Sequence, residues 1–375
     1  VVGEAAPDAD EDTLLRVVTV VNRDGEPAVL VDRVRGADVA AAAVEDAQTS
    51  EDVVAVSVDS RVTLDAPDRA ARLARLDTLR SNQWALDRLR AEKVWSDYSS
   101  GAGAVVAVID TGVDGSHLDL AGRLTTAGID YVTGGGNGRV DPHGHGTHVA
   151  GVVAAVRGNA VGVAGLAPLA RVMPIRVLDA TGAGWSSNIA KGIIYAADNG
   201  ADVINLSLGG PAEDSSTKVA VNYAMSKGVI VVAAAGNNRS TDNATNYPAA
   251  YPGVLAVAST EREDTSSPFS NTGSYVDIAA PGGRILSTVP GGYAYMSGTS
   301  MATPFVAAAG ALVTDLTGGT VTTEQFERVL TRTATDLGTS GWDPEFGYGL
   351  ADPHQLLCSF STCGAVQAPQ VEKEH

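Results

Sequence analysis

A chain of 375 residues is long enough for one large domain and a small one. The formal charge of −18 argues against nucleic acid or an anionic membrane surface as a partner, since both require a basic face, and no apolar run reaches the length of a membrane span. Hydrophobic residues make up 44% but aromatics only 5%, so the core has to be built from Ala, Val, Leu and Ile. Residues 1–12 carry Glu4, Asp8, Asp10, Glu11 and Asp12 with little to bury, and read as a disordered acidic leader. The sequence opens at Val1, so localisation is not read from a signal peptide. Two β-rich runs, residues 14–21 and 28–35, flank Asn22-Arg23-Asp24-Gly25-Glu26-Pro27, which is a hairpin signal. Residues 38–46 have a helical pattern and Val53 to Val58 is a further strand. A ββαβ unit of about fifty residues is marginal alone and needs a surface to lean on. Residues 65–82 interleave Arg69, Arg72, Arg75 and Arg80 with Leu73, Leu76 and Leu79, as a polar helix or exposed linker does.

Beyond Trp84, apolar runs at 104–109, 172–178, 203–208, 229–235 and 254–258 alternate with helix-like segments near 145–155, 187–197 and 217–226 and after Ser300. Uninterrupted apolar strands alternating with helices predict an α/β fold, a mostly parallel sheet with helices on both faces. Ligands of such a sheet bind outside the carboxyl ends of its strands. Cys358 and Cys363 are the only cysteines; their short spacing favours a disulfide and an oxidising compartment.

Three stretches carry chemistry. Gly298-Thr299-Ser300-Met301-Ala302-Thr303-Pro304 runs into an Ala-rich apolar segment, which places Ser300 at the start of a buried helix with Pro304 in its first turn. A serine there is most often an N-cap, yet its hydroxyl also lies near free N–H donors that suit an attack creating an oxyanion. The first strand of the sheet ends in Ile109-Asp110-Thr111-Gly112, and His143-Gly144-His145-Gly146-Thr147-His148 opens a helix. An imidazole at a helix N-terminus stays neutral and able to accept a proton near pH 7. His145 and His148 could share a helix face, but HExxH is absent and no Cys or Glu lies nearby to complete a zinc site. Aspartate, histidine and serine in the order Asp110, His145, Ser300 make up the parts of a Ser-His-Asp relay.

These three stretches, with Val231-Val232-Ala233-Ala234-Ala235-Gly236-Asn237, resemble the signatures of the subtilase family of serine proteases over about residues 83–357. The resemblance implies a subtilisin-like α/β fold and a secreted, monomeric endopeptidase acting on polypeptides. Ser300 would be the nucleophile, His145 the base, Asp110 its orienting partner and Asn237 the side-chain donor of an oxyanion hole. Gly182-Ala183-Gly184 and Ser207-Leu208-Gly209 would be the two edges against which a substrate lies as an added strand. Ala233 to Gly236, with Ala234, Ala235 and Gly236 foremost, would line the first specificity pocket over Asn246, an uncharged lining that suits apolar side chains. Asp119 and the loop of Arg157, Asn159, Val161 and Val163 resemble a Ca²⁺ site of oxygen ligands, against the bland alternative of a Gly-Asn turn. Residues 13–64 resemble, less closely, the family's propeptide, a small α+β domain lacking the usual first helix. That implies a proenzyme whose own N-terminal segment blocks the cleft and is cut within residues 65–82, ahead of a tail at 358–375. The competing expectation is a self-inhibited, non-catalytic scaffold that acts by binding.

Overall fold

The computed structural model describes residues 13–361 apart from 24, 51 and 65–78. The acidic leader, most of the arginine-rich linker and Cys363 therefore lie outside the described residues, and the disulfide with them. Cys358 itself lies in a helix rather than in the short loop expected for the pair.

The chain begins with an antiparallel hairpin, β1 (Leu14–Arg23) and β2 (Glu26–Arg35), in continuous register from Leu14 opposite Arg35 to Arg23 opposite Glu26. Helix α1 (Ala37–Gln48) follows, and β3 (Val53–Val58) pairs antiparallel with β1 to give the order β2-β1-β3. Leu15, Val17, Val56 and Val58 meet Ala40 and Val44 of α1 in a small core. A short strand, β4 (Arg61–Thr63), leaves this unit towards the large domain.

The large domain opens with α2 (Trp84–Arg88) and α3 (Ala91–Asp97), then β5 (Val105–Asp110), β6 (Ile129–Asp130) and α4 (His145–Ala154). Next come β7 (Arg171–Arg176), β8 (Ala183–Trp185), α5 (Ser186–Asp198), β9 (Val203–Leu206), α6 (Ser215–Ser226) and β10 (Ile230–Ala234). β11 (Leu255–Thr260), β12 (Ile278–Pro281) and the hairpin β13 (Ile285–Val289) with β14 (Gly292–Met296) precede α7 (Thr299–Thr317), α8 (Thr323–Thr333) and α9 (Pro353–Phe360). Seven parallel strands form one sheet in the order β12-β11-β10-β9-β5-β7-β6.

Alternate residues of each strand feed different cores, as the two-residue strand period demands. Val106 and Val108 pack with Val149, Val153 and Val306 of α4 and α7, whereas Ala107 and Ile109 pack with Ile189, Ile193 and Val221 of α5 and α6. The small sheet rests on α5 and α6. Val18 and Val20 of β1 are fully buried although they face away from α1, so the unit does lean on the large domain.

Elements the apolar pattern did not announce are short or polar. α8 buries only Phe326 and Leu330; its readable mark is a capping box in which Thr322 and Gln325 bond reciprocally.

Candidate active site

β5 ends in Asp110 and α4 begins at His145, so both side chains reach the carboxyl-end rim of the sheet. They meet there. His145 Nδ1 lies 2.8 Å and 2.9 Å from the two Asp110 carboxylate oxygens, and both residues are buried. Asp141 organises the approach, an office the sequence reading missed. Its carboxylate accepts from the His143 and Gly144 N–H groups, the Thr111 hydroxyl, and the N–H and hydroxyl of Thr147. Thr111 Oγ1 in turn accepts from the Gly146 N–H, which ties the end of β5 to the start of α4. An Asp four residues before a helix-opening His is the signal that could have found it.

His148 points elsewhere. Its Nε2 lies 3.0 Å from the Ile285 carbonyl and 3.2 Å from that of Ala294, on the hairpin β13–β14. Complete burial, with the nearby His145 adding to it, pushes its pKa down to about 3, so it is a neutral core histidine. His145 and His148 therefore do not converge on a common centre.

Ser300 is the second residue of α7, after a Gly298 N-cap, and is nearly buried. It is not itself the cap: its hydroxyl donates to the Ser207 carbonyl at 3.1 Å. Among the described residues no hydrogen bond joins Ser300 to His145. Pro304 lies beyond the first turn, contrary to expectation, and so withholds the N–H that the Ser300 carbonyl would otherwise receive. The Ser207 hydroxyl donates to that carbonyl instead, at 2.8 Å, and itself accepts from Asn205 Nδ2. The proline gap thereby clips the start of α7 to the end of β9.

Asn237 follows β10. Its Oδ1 accepts from the N–H and hydroxyl of Thr299 at 2.8 Å and 2.9 Å, which fixes the amide with Nδ2 on the side of Gly298. The Ser300 N–H, in the first turn, has no intrahelical partner.

The chain's own tail occupies the adjoining cleft. β4 pairs antiparallel with β8, Arg61 opposite Trp185, Val62 opposite Gly184 and Thr63 opposite Ala183, and the Leu64 N–H donates to the Gly182 carbonyl at 2.8 Å. Thr63 and Leu64 line one pocket with Leu208, Gly209, Ala234, Gly236, Asn237, Asn246, Thr299 and Ser300. Leu64 also lies against Gly182, beside the His143 ring, whose centroid is 6.2 Å from that of His145. Thus one residue of the tail lines the Ser300 pocket and also lies at Gly182, where the loop that carries His143 comes close.

The predicted lining needs amendment at Ala233, which packs in the core beneath α5 and α6, and at Ala235. Ala235 is turned into the core, its carbonyl accepting the Tyr275 hydroxyl at 2.7 Å, because only alternate residues of an extended segment face the cleft. Ser207 commits its side chain to α7, while its carbonyl accepts the Ser300 hydroxyl, so it is its backbone that lies at the expected edge. Asn246 does close the pocket: its Nδ2 donates to the Ala234 carbonyl at 2.8 Å, and it abuts both Gly209 and Gly236.

Asp119 is buried, which pushes its pKa up, and its carboxylate accepts from Asn159 Nδ2 and the Val163 N–H, each at 2.7 Å. The Asn159 oxygen accepts from the Val161 N–H at 2.9 Å. Arg157 sends its side chain away, to Glu92 at 2.8 Å and over the Trp95 ring. Among the described residues no hydrogen bond reaches the carbonyls of Arg157, Val161 or Val163.

The family model for the subtilase family matches residues 101–349. Thermitase of Thermoactinomyces vulgaris is 50% identical over 234 residues, 62% of this chain and 82% of that protein. A thermophilic serine proteinase of Bacillus sp. (strain AK1) is 44% identical over 276 residues, 73% of this chain and 67% of its own length. Subtilisin E of Bacillus subtilis (strain 168) is 43% identical over 270 residues, 71% and 69% of the two chains. With its seven-stranded parallel sheet and the Asp110–His145 contact at the sheet's rim, the chain belongs to the subtilase family and is a serine endopeptidase.

Proposed function

We propose that the chain is a secreted proenzyme that hydrolyses peptide bonds through an acyl-enzyme on Ser300, with residues 13–64 as its inhibitory propeptide. The observation that carries this reading is the buried pair of His145 and Asp110 at the rim of the sheet, with the chain's own tail laid as a strand along β8 into the pocket that Ser300 lines. The Ser300 hydroxyl turns from the Ser207 carbonyl towards His145, which takes its proton as the oxygen attacks the substrate carbonyl. Asp110, at Nδ1, keeps the ring in the tautomer whose Nε2 is free and stabilises the imidazolium that results. The Ser300 N–H and Asn237 Nδ2 receive the developing oxyanion, the amide held in place by Thr299. His145 then protonates the departing amine, and water enters by the reverse sequence to free the acid.

A segment that fills its own cleft keeps the enzyme idle until it is cut, which fits activation outside the cell. Among the described residues no helix is long and apolar enough to cross a membrane. The chain alone carries every group used here, which fits a monomeric enzyme. Oxygen ligands at a buried carboxylate suit Ca²⁺: Asp119 and the open carbonyls of Arg157, Val161 and Val163 would hold it, with Asn159 turning its amide to present oxygen. Its part would be structural, offsetting the burial of the Asp119 charge.

The full chain, incubated and then treated with a serine-directed phosphonate, should carry label on Ser300, and N-terminal sequencing should find a new terminus within residues 65–82. A folded, shortened protein that takes no label refutes the acyl-enzyme.

A further inference from the structure

The tail that enters the cleft also shows what lies beyond the residues nearest Ser300. Arg61 stands opposite Trp185 in the β4–β8 pairing, three residues before Leu64. Its guanidinium is 3.7 Å from Asp179 Oδ2 and 6.0 Å from the Trp185 ring centroid. The two partners are brought together by the turn that leads into β8, where the Asp179 N–H donates to the Ala183 carbonyl at 2.8 Å. Asp179 divides its work between its oxygens. Oδ1 holds the turn, accepting from the Thr181 N–H and hydroxyl at 2.8 Å and 2.6 Å and from the Ala183 N–H at 3.2 Å, whereas Oδ2 faces the guanidinium. The Thr181 hydrogen bond, above all, holds this carboxyl below its ordinary pKa, so it is ionised at neutral pH.

Trp185 carries a second cation. Arg16 of β1 lies 4.7 Å from the ring centroid, bound also to Asp59 at 2.7 Å. When residues 13–64 depart, both guanidinium groups leave, and an aromatic face beside a carboxylate is uncovered at the edge where substrate adds as a strand.

We propose that Trp185 and Asp179 form a subsite for a cationic side chain, arginine before lysine, on the substrate residue that takes the place of Arg61. It rests on the protease reading above and extends the substrate edge past Gly182 and Gly184. A planar guanidinium can stack on the ring while pairing with the carboxylate, which an ammonium does less well. Both partners are partly exposed, so the effect is modest and sensitive to salt.

The test uses the full chain, incubated until its activity is constant, and internally quenched peptides Ser-Xaa-Val-Thr-Leu-Phe-Ala-Ala with Xaa as Arg, Lys, Ala or Glu. Mass spectrometry fixes the bond cleaved. The expected kcat/KM for Arg exceeds that for Ala by about three- to tenfold at low salt, with Lys between them and Glu lowest. High salt should shrink the Arg-to-Ala ratio. Asp179→Asn keeps the turn-holding oxygen while removing the charge, and should at least halve that ratio; combined with Trp185→Leu it should bring it to about one. Equal rates for Arg, Ala and Glu in the unaltered protein overturn the subsite and leave the protease reading standing. Failure to cut any peptide, together with an unreactive Ser300, overturns both.

Discussion

Helices α5 and α6 lie together on one face of the large sheet, yet they begin differently. α6 supplies its own cap, Asp214 accepting from the Thr217 N–H at 2.7 Å. α5 has Trp185 at the N-cap position and no cap from its own segment. Asp59 of the N-terminal unit serves instead, accepting from the Ser187 N–H at 2.9 Å and from the Ser186 and Ser187 hydroxyls, while Arg16 neutralises it at 2.7 Å. One helix is capped from within the large domain, although its Asp214 also accepts the Ser57 hydroxyl of the N-terminal unit at 3.2 Å; the other borrows a carboxylate from a segment proposed to be cut away. The borrowed cap sits two residues before β4, so the contact that anchors the unit also aims its tail into the cleft.

The largest expected effect should spare both helices. Ser300→Ala should lower kcat by about 10⁶-fold, the size of loss known for the nucleophile of subtilisin itself. An unchanged melting curve beside that loss would show that chemistry and capping are separate; retained cleavage by purified mutant would refute the assignment. Asp59→Ala should then break the borrowed cap, weakening inhibition by the N-terminal unit by about ten- to a hundredfold. The check is the time course of activity in the full chain, which should rise earlier; an unaltered course means the cap contributes nothing to retention.

Two further outcomes concern the large domain away from either helix start. Chelating calcium should lower Tm by roughly 5–10 °C through loss of a ligand of the native state, and an unmoved Tm would leave the Asp119 loop without its ion. Asp277, which directly precedes the edge strand β12, has its pKa raised to about 7 by burial, although its carboxylate accepts the Ala256 N–H at 2.8 Å. A carboxyl whose folded pKa exceeds its unfolded one contributes stability below about pH 4 and loses it as pH rises through 7. Asp277→Asn should therefore raise Tm by a few degrees at pH 8 and leave it unchanged at pH 4, read by calorimetry at the two values. The smallest effect sharpens the comparison directly: Asp214→Ala should cost about 1 kcal/mol once the N-terminal unit is removed, and somewhat more while Ser57 still bonds to it. A cost that appeared only in the processed protein would mean that the unit supports both helices.

Much of the fold was legible because apolar strands and Ala-rich helices announce themselves by period, from the run ending in Asp110 to the segment after Ser300. What escaped were pieces without that signal: the two-residue β6, the hairpin that receives His148, and α8 with its two buried side chains. The site divided along the same line. Residue type and chain order proposed Asp110, His145 and Ser300, and the resemblance to the subtilases added Asn237, because the neighbours of all four in the sequence are distinctive. Asp141, Thr299 and the Ser207 hydroxyl were silent, because a residue that positions another is recognised only by what it touches.

The sequence by itself determined the class of fold and the family, because these depend on hydrophobic period and on residues gathered in local motifs, and it supplied the side chains to which the reactive roles are proposed. Only the tertiary structure decided that Ala235 turns inward, that Pro304 leaves a carbonyl for Ser207 to fill, and that Asp59 caps a helix from another unit. Each of those depends on which groups meet across long separations in the chain, and a hydrogen bond between distant residues leaves no mark on the period of either.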